Sequence, residues 1–112
     1  MQINEQILER ATLVSTHGPL DSSSSPQLEK WLERLTANGG TSIVLDLAGT
    51  DYVSSAGLRV MLSTVKALRG SERRFLLCGV NDDVMGVLAV TGFDRFITIA
   101  GDAEQALATL SS

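Results

Sequence analysis

The chain has 112 residues and a formal net charge of −4, and 44% of its residues are hydrophobic while 20% are charged. This composition is typical of a globular domain, and the length is sufficient for a single hydrophobic core. The acidic balance excludes the basic footprint of a nucleic-acid-binding protein, and no apolar run reaches the roughly 18 residues that a membrane span requires.

The first residues and the cysteine content indicate in which cellular compartment the protein is found. Residues 1–5 lack the basic and apolar regions of a signal peptide. The single cysteine, Cys78, cannot form an internal disulfide. We therefore expect a cytoplasmic protein without membrane or nucleic-acid partners.

The first predicted elements are two strands, residues 2–8 and Ala11 to Thr16. Glu9-Arg10 between them predicts a tight reversal, so the two strands should pair in antiparallel fashion.

A helix is predicted after the segment His17-Gly18-Pro19-Leu20-Asp21, which closes the second strand. Ser25 fits the N-cap and Pro26 the first helical position, where the missing N–H costs nothing. We expect this helix to end at Asn38-Gly39-Gly40. Its apolar face contains Leu28, Trp31, Leu32 and Leu35.

A buried strand over Ile43–Leu47 and a helix over Ser55–Leu68 follow, because apolar residues are continuous in the first and recur with helical spacing in the second. Gly70 should end this helix, and Arg73-Arg74 should be solvated.

The C-terminal third predicts two further strands and two further helices. The strands are Phe75–Val80 and Phe96–Ile99. One helix starts at Asn81 or Asp82 and closes near Gly92, and the last is capped by Asp102 with Ala103, Ala106, Leu107 and Leu110 inward. The alternation predicts one α/β domain over residues 1–112, with a mixed, largely parallel sheet of about five strands and about four helices.

Two adjacent serines, Ser54 and Ser55, precede the central helix. One of them can cap the helix by accepting a backbone N–H. A helix start also favours an added anion, so a serine there is a candidate for modification. The residues alone leave both interpretations open.

Two motifs carry a resemblance to a known family. Leu45-Asp46-Leu47 followed by Tyr52-Val53-Ser54-Ser55-Ala56-Gly57-Leu58 resembles the signature of STAS domains in bacterial anti-sigma factor antagonists. Gly18-Pro19-Leu20-Asp21 resembles the Gly-x-Leu-Asp element that these domains have after the second strand. In that family the phosphorylated serine lies two residues before the glycine, which is Ser55 here. Several members have Asp before it where this chain has Ser54, so Ser54 is the alternative acceptor.

The resemblance implies a binding module that is not an enzyme and uses no cofactor or metal. Its unphosphorylated form would bind a serine-kinase anti-sigma factor of the GHKL ATPase type, phosphorylation would release it, and a PP2C-type phosphatase would restore it. The free protein would be a monomer. The implied partner-binding residues are Leu20, Asp21, Ser22, Asp51, Ser54, Ala56, Gly57 and Arg59.

Chain topology gives a separate reason to group the two motifs. Right-handed crossovers place the carboxyl ends of successive parallel strands along one edge of a sheet. Asp21 and the Ser54-Ser55 turn should therefore lie at the same edge.

Other functions fit the sequence less well. A STAS module that binds partners without a phosphorylation switch is the first alternative. A small serine-dependent enzyme is disfavoured, because Val53 replaces the first glycine of a Gly-x-Ser-x-Gly elbow and the only histidine, His17, precedes the serine. We interpret Cys78 as a core residue. The acidic pairs Asp46/Asp51 and Asp82-Asp83 are interpreted as helix-cap and loop residues.

Overall fold

The backbone forms one five-stranded sheet in a computed structural model that describes residues 1–37 and 39–111. In their order across the sheet, the strands are β1 (Gln2–Ile7), β2 (Ala11–His17), β3 (Ser42–Gly49), β4 (Phe75–Cys78) and β5 (Thr98–Ala100). The helices are α1 (Ser25–Ala37), α2 (Ser55–Leu68), α3 (Asp82–Thr91) and α4 (Ala103–Ser111), with a 3₁₀ turn at Phe93–Arg95.

The strand directions confirm the predicted mixed sheet. β1 pairs with β2 in antiparallel fashion, and the reversal is closed by a hydrogen bond from the Leu8 N–H to the Ala11 carbonyl at 2.9 Å. β2, β3, β4 and β5 are parallel to their neighbours. All of the parallel strands therefore end at one edge of the sheet.

Both faces of the sheet are covered by helices. Ile43 and Leu45 of β3 point into a core shared with α1, α2 and α3, whereas Val44 belongs to a smaller core against α4. This alternation explains why β3 is almost continuously apolar, since both of its faces are buried.

The predicted bounds of the last strand are wrong. β5 starts at Thr98 and not at Phe96. Gly92 has φ 75°, which lets the chain turn from α3 directly into the 3₁₀ turn, and Phe93 takes the buried position there. Phe96 follows that turn and is 66% exposed.

The start of α1 differs from the prediction by one residue. Ser25 is the first helical residue, and the Ser24 carbonyl accepts the N–H groups of Gln27 and Leu28. The Ser25 hydroxyl is buried and makes no hydrogen bond with any residue that the structure describes. Ser25 is therefore not the cap. The predicted end of α1 at Asn38 lies outside the described residues.

The prediction that Arg73 is solvated is wrong. Its guanidinium donates hydrogen bonds to the carbonyls of Leu35, Thr36 and Thr41 at 2.8, 3.2 and 2.9 Å. It therefore stabilises the C-terminal end of α1, where backbone carbonyls lack helical partners.

Candidate functional site

The two motifs meet at the edge where the parallel strands end. Leu20 and Val53 form an isolated parallel bridge beyond β2 and β3. The Leu20 N–H donates to the Tyr52 carbonyl at 2.9 Å, and the Ser54 N–H donates to the Leu20 carbonyl at 2.8 Å. The expectation that Asp21 and the serine turn share one edge is confirmed by these contacts.

A close contact between α2 and Leu20 sets the position of the serine turn. A Cβ atom at Gly57 would lie 2.7 Å from Leu20 Cγ and 3.0 Å from Val53 Cγ1. Both Leu20 and Gly57 are buried. Both were predicted as partner-binding residues, and in the folded chain they lie beneath the exposed residues of the site and set their positions.

Ser54 and Ser55 have different surroundings. Ser54 is the N-cap residue of α2 with extended backbone, yet its side chain makes no capping hydrogen bond. Its Oγ atom is buried and has no partner among the described residues. Ser55, the first helical residue, is exposed, and no hydrogen bond of its hydroxyl occurs within the described part of the chain. Side-chain capping therefore does not explain either serine.

Asp21 organises the turn that leads into α1. Its Oδ1 atom accepts hydrogen bonds from the Ser23 hydroxyl at 2.8 Å and from the N–H groups of Ser23 and Ser24 at 3.0 Å each. These hydrogen bonds, led by the Ser23 hydroxyl, lower the pKa of Asp21 because they favour the charged form. The turn role that the sequence allowed for Asp21 is thus present.

The remaining predicted residues face solvent around the serine turn. Ser22, Asp51 and Arg59 are exposed, and Ala56 is half-buried. Ser22, Ala56 and Arg59 line a shallow groove of about 250 Å³ between the starts of α1 and α2. Glu29 also lines this groove, so the face beside Ser55 has a cation, an anion and the exposed side chain of Ser22.

Helix α3 also contributes to this edge, and no sequence motif predicted this contribution. The Asn81 side chain accepts from the Val84 N–H at 2.8 Å and donates to the Asp51 carbonyl at 3.3 Å. Tyr52, which is 56% exposed, lines a small hollow together with Asp83 and Val87. One feature of the sequence could have pointed to an exposed apolar surface on α3. Residues 84–93 contain no charged side chain.

Cys78 is a core residue, and His17 is an exposed residue at the end of β2. Cys78 is fully buried in β4, and burial first, then the charges of Asp46 and Asp102, raise the pKa of its thiol to about 12. This confirms its place in the core.

Comparison with known proteins identifies the family. A family model for the STAS domain matches residues 2–106. The chain belongs to the STAS domain family. BtrV from Bordetella bronchiseptica, a protein classed as an anti-sigma factor antagonist, is 31% identical over 112 residues, which cover 100% of this STAS chain and 97% of BtrV. The resemblance found in the two sequence motifs is thereby confirmed.

Solved structures share the STAS fold. A protein from Thermotoga maritima, described as an anti-sigma factor antagonist, superimposes with a TM-score of 0.93 at 22% identity, covering 98% of this chain and 95% of that one. The Bacillus cell fate determinant SpoIIAA in its phosphorylated form gives a TM-score of 0.76 at 16% identity, covering 97% and 99%. In the described part of the STAS chain, no helix has the length and apolar character needed to cross a membrane.

Proposed function

We propose that this STAS domain is an anti-sigma factor antagonist that works by partner switching in the bacterial cytoplasm. It acts as a binding module and not as an enzyme. The unphosphorylated form binds a serine-kinase anti-sigma factor of the GHKL ATPase type, and phosphorylation of Ser55 ends the complex. A PP2C-type phosphatase then restores the binding form. The 31% identity with BtrV over the whole chain supports the antagonist role.

The observation that carries the switch is the state of the Ser55 hydroxyl. It is exposed at the start of α2, and no described residue binds it, so a kinase can reach it without unfolding the domain. The neighbouring Ser54 Oγ atom is buried. This difference in access supports Ser55 over Ser54 as the acceptor.

The proposed release mechanism is electrostatic. A phosphate adds about −1.5 to −2 charges in one step. The phosphate would lie on a docking face next to Asp21 and Asp51. A returning partner would have to remove water from this charge or would be repelled by it, and either effect weakens binding. The start of α2 holds the phosphate favourably, because its first N–H groups and the helix dipole face an anion there. Phosphorylation therefore changes affinity and leaves the fold intact.

The acceptor is tested with purified cognate GHKL-type kinase, ATP and intact-mass measurement. We expect the wild type and Ser54→Ala to gain one phosphate, and Ser55→Ala to gain none while still binding the kinase. Ser54→Ala is the matched control, because it removes a neighbouring hydroxyl that makes no hydrogen bond to a described residue.

Two results would contradict the proposal in different ways. Phosphorylation of Ser55→Ala but not of Ser54→Ala would move the acceptor by one residue. Stable kinase binding by the wild type with no mass gain would favour a STAS module that binds partners without a phosphorylation switch.

A further inference from the structure

Three of the exposed large hydrophobic side chains in the described residues lie on α3, and a fourth, Tyr52, lines a hollow together with one of them. Six such side chains are more than a third exposed, and four of them are Tyr52, Met85, Val87 and Val90. Val90 is 90% exposed. Folding explains Tyr52 and Val90 least, because side chains that are more than half exposed bury little apolar area on folding. A contiguous exposed apolar surface is typical of an interaction site.

The spacing along α3 makes a continuous strip. Asp83, Gly86, Val87 and Val90 recur at i, i+3, i+4 and i+7, which places them on one side of the helix. Val87 also lines the same hollow as Tyr52. We call the surface formed by Tyr52, Val87 and Val90 the apolar strip.

A hydrogen bond links the helix that carries the apolar strip to the segment just before the serine turn. Asn81 caps α3 and also donates a hydrogen bond to the Asp51 carbonyl, one residue before Tyr52. The segment from Asp51 to Ser55 thus connects the strip to the proposed acceptor.

The charges beside the apolar strip select the partner. Asp51, Asp82 and Asp83 are exposed at its end nearest the serine turn. Residues 84–93 add no charge of either sign. A complementary surface therefore combines apolar side chains with lysine or arginine.

The size of the apolar strip argues against a second copy of this chain as the occupant. α3 has 10 residues, so the strip is only about 15 Å long. A stable interface usually buries about 800 Å² on each partner. The strip is too small for that alone and fits an extension of a larger contact.

We propose that the apolar strip is a second part of the docking face, which receives a surface of the anti-sigma factor that combines apolar side chains with lysine or arginine. This inference rests on the proposed function, because that surface belongs to the anti-sigma factor that binds over Ser55.

Paired variants at Val90 test both the apolar and the charge requirement. Val90 is almost fully exposed, so Val90→Lys and Val90→Glu should both leave the melting temperature nearly unchanged. Kinase binding is measured by calorimetric titration. We expect Val90→Lys to weaken the complex about tenfold or more, because it removes apolar contact and repels a basic partner. Val90→Glu should weaken the complex less than Val90→Lys does. The difference in affinity between the two variants should shrink at high salt, because salt screens the charges.

Ile7→Lys is the matched control. Ile7 is 78% exposed on β1, away from the serine turn, and the change makes the same substitution in charge and polarity. Its affinity should stay within about twofold of the wild type. The inference is overturned if Val90→Lys binds like the wild type, or if Val90→Glu binds as weakly as Val90→Lys at low salt.

The outcomes also separate this inference from the proposed function. Normal phosphorylation of Ser55 together with unaffected binding of Val90→Lys overturns the strip alone. A wild type that neither binds the kinase nor is phosphorylated overturns both. Sedimentation showing a dimer that Val90→Lys dissociates would assign the strip to a second copy and overturn the proposed occupant.

Discussion

At the scale of single residues, two adjacent serines differ in what surrounds their hydroxyl groups. The Ser54 side chain packs inward although its backbone occupies the cap position of α2. Ser55, one residue later, points to solvent. The resemblance favoured Ser55 as the acceptor, but the sequence could not show which hydroxyl is buried, because that depends on contacts between distant segments such as the bridge between Leu20 and Val53.

Ser55→Asp should weaken kinase binding by roughly 1–3 kcal/mol, the cost of a mismatched charge in an interface. The melting temperature should hardly change, because an acidic residue is favourable in the first turn of a helix. Calorimetric titration gives the affinity, and thermal unfolding checks stability. An unchanged affinity would contradict release by charge repulsion.

Asp21 holds the turn before α1, and a test of its function must distinguish this local role from a role in phosphorylation or binding. Asp21→Asn keeps an oxygen that can accept the Ser23 and Ser24 N–H groups, so stability at neutral pH should change little. If the carboxylate also positions the acceptor or contacts the kinase, phosphorylation of Ser55 will slow or the complex will weaken. Rate and affinity both at wild-type values would leave Asp21 as a turn residue only.

The same variant should alter the response to acid. The folded pKa of Asp21 is lowered from its ordinary value of 3.8. Its contribution to stability is therefore present above that value and is lost as the pH falls through the lowered folded pKa. Asn does not titrate, so the acid unfolding of Asp21→Asn should lack this contribution.

At the scale of elements, the site depends on how closely α2 approaches the sheet. Gly57 lies against Leu20 and Val53, where any side chain would collide with buried atoms. Gly86 in α3 is a useful contrast, because a Cβ atom there would meet nothing within 4 Å.

Gly57→Ala should destabilise the domain by about 1–3 kcal/mol, because overpacking at Leu20 outweighs the better helix propensity of Ala. Gly86→Ala should be neutral or stabilising by up to about 1 kcal/mol. Urea unfolding of both variants measures the difference. Equal stability changes in the two variants would show that the close contact with Leu20 costs nothing.

Most elements could be predicted from the sequence, because their signals are local. The stripe from Leu58 to Leu68 gave the bounds of α2, and Asn81 and Gly92 marked the ends of α3. Phe96 was misplaced, since only tertiary packing decides that Phe93 and not Phe96 enters the core. The contacts of Arg73 with α1 also join distant segments, and no local pattern reports them.

The candidate site was predictable in its location but not in its details. Topology alone placed Asp21 beside the serine turn. The burial of Leu20 and Gly57 was not foreseen, because a motif records which residues occur and not which way they face. The strip formed by Tyr52, Val87 and Val90 has no motif.

At the scale of the whole molecule, the sheet is buried between helices on both faces. Cys78 lies in the core against α4 and is fully buried. Its thiol therefore reports opening of the whole domain and not of a surface loop.

Cys78 should react with a thiol reagent such as DTNB only through unfolding. Burial raises the thiol pKa to about 12, so the reactive thiolate is scarce at pH 8 even where the reagent could reach it. We expect labelling of the native protein to be about a thousandfold slower than that of the urea-unfolded chain, or slower still. Rapid labelling without urea would mean that α4 leaves the sheet on its own.

The bridge between Leu20 and Val53 also has a consequence for folding. The chain between these residues includes α1 and β3, so their pairing closes a long loop and cannot precede the β2–α1–β3 crossover. A chain that has emerged from the ribosome only as far as α1 contains the residues of its first hairpin but lacks β3 and the serine turn, and so has no docking face. We therefore expect competence for partner binding to appear late in synthesis, together with the cooperative formation of the parallel sheet.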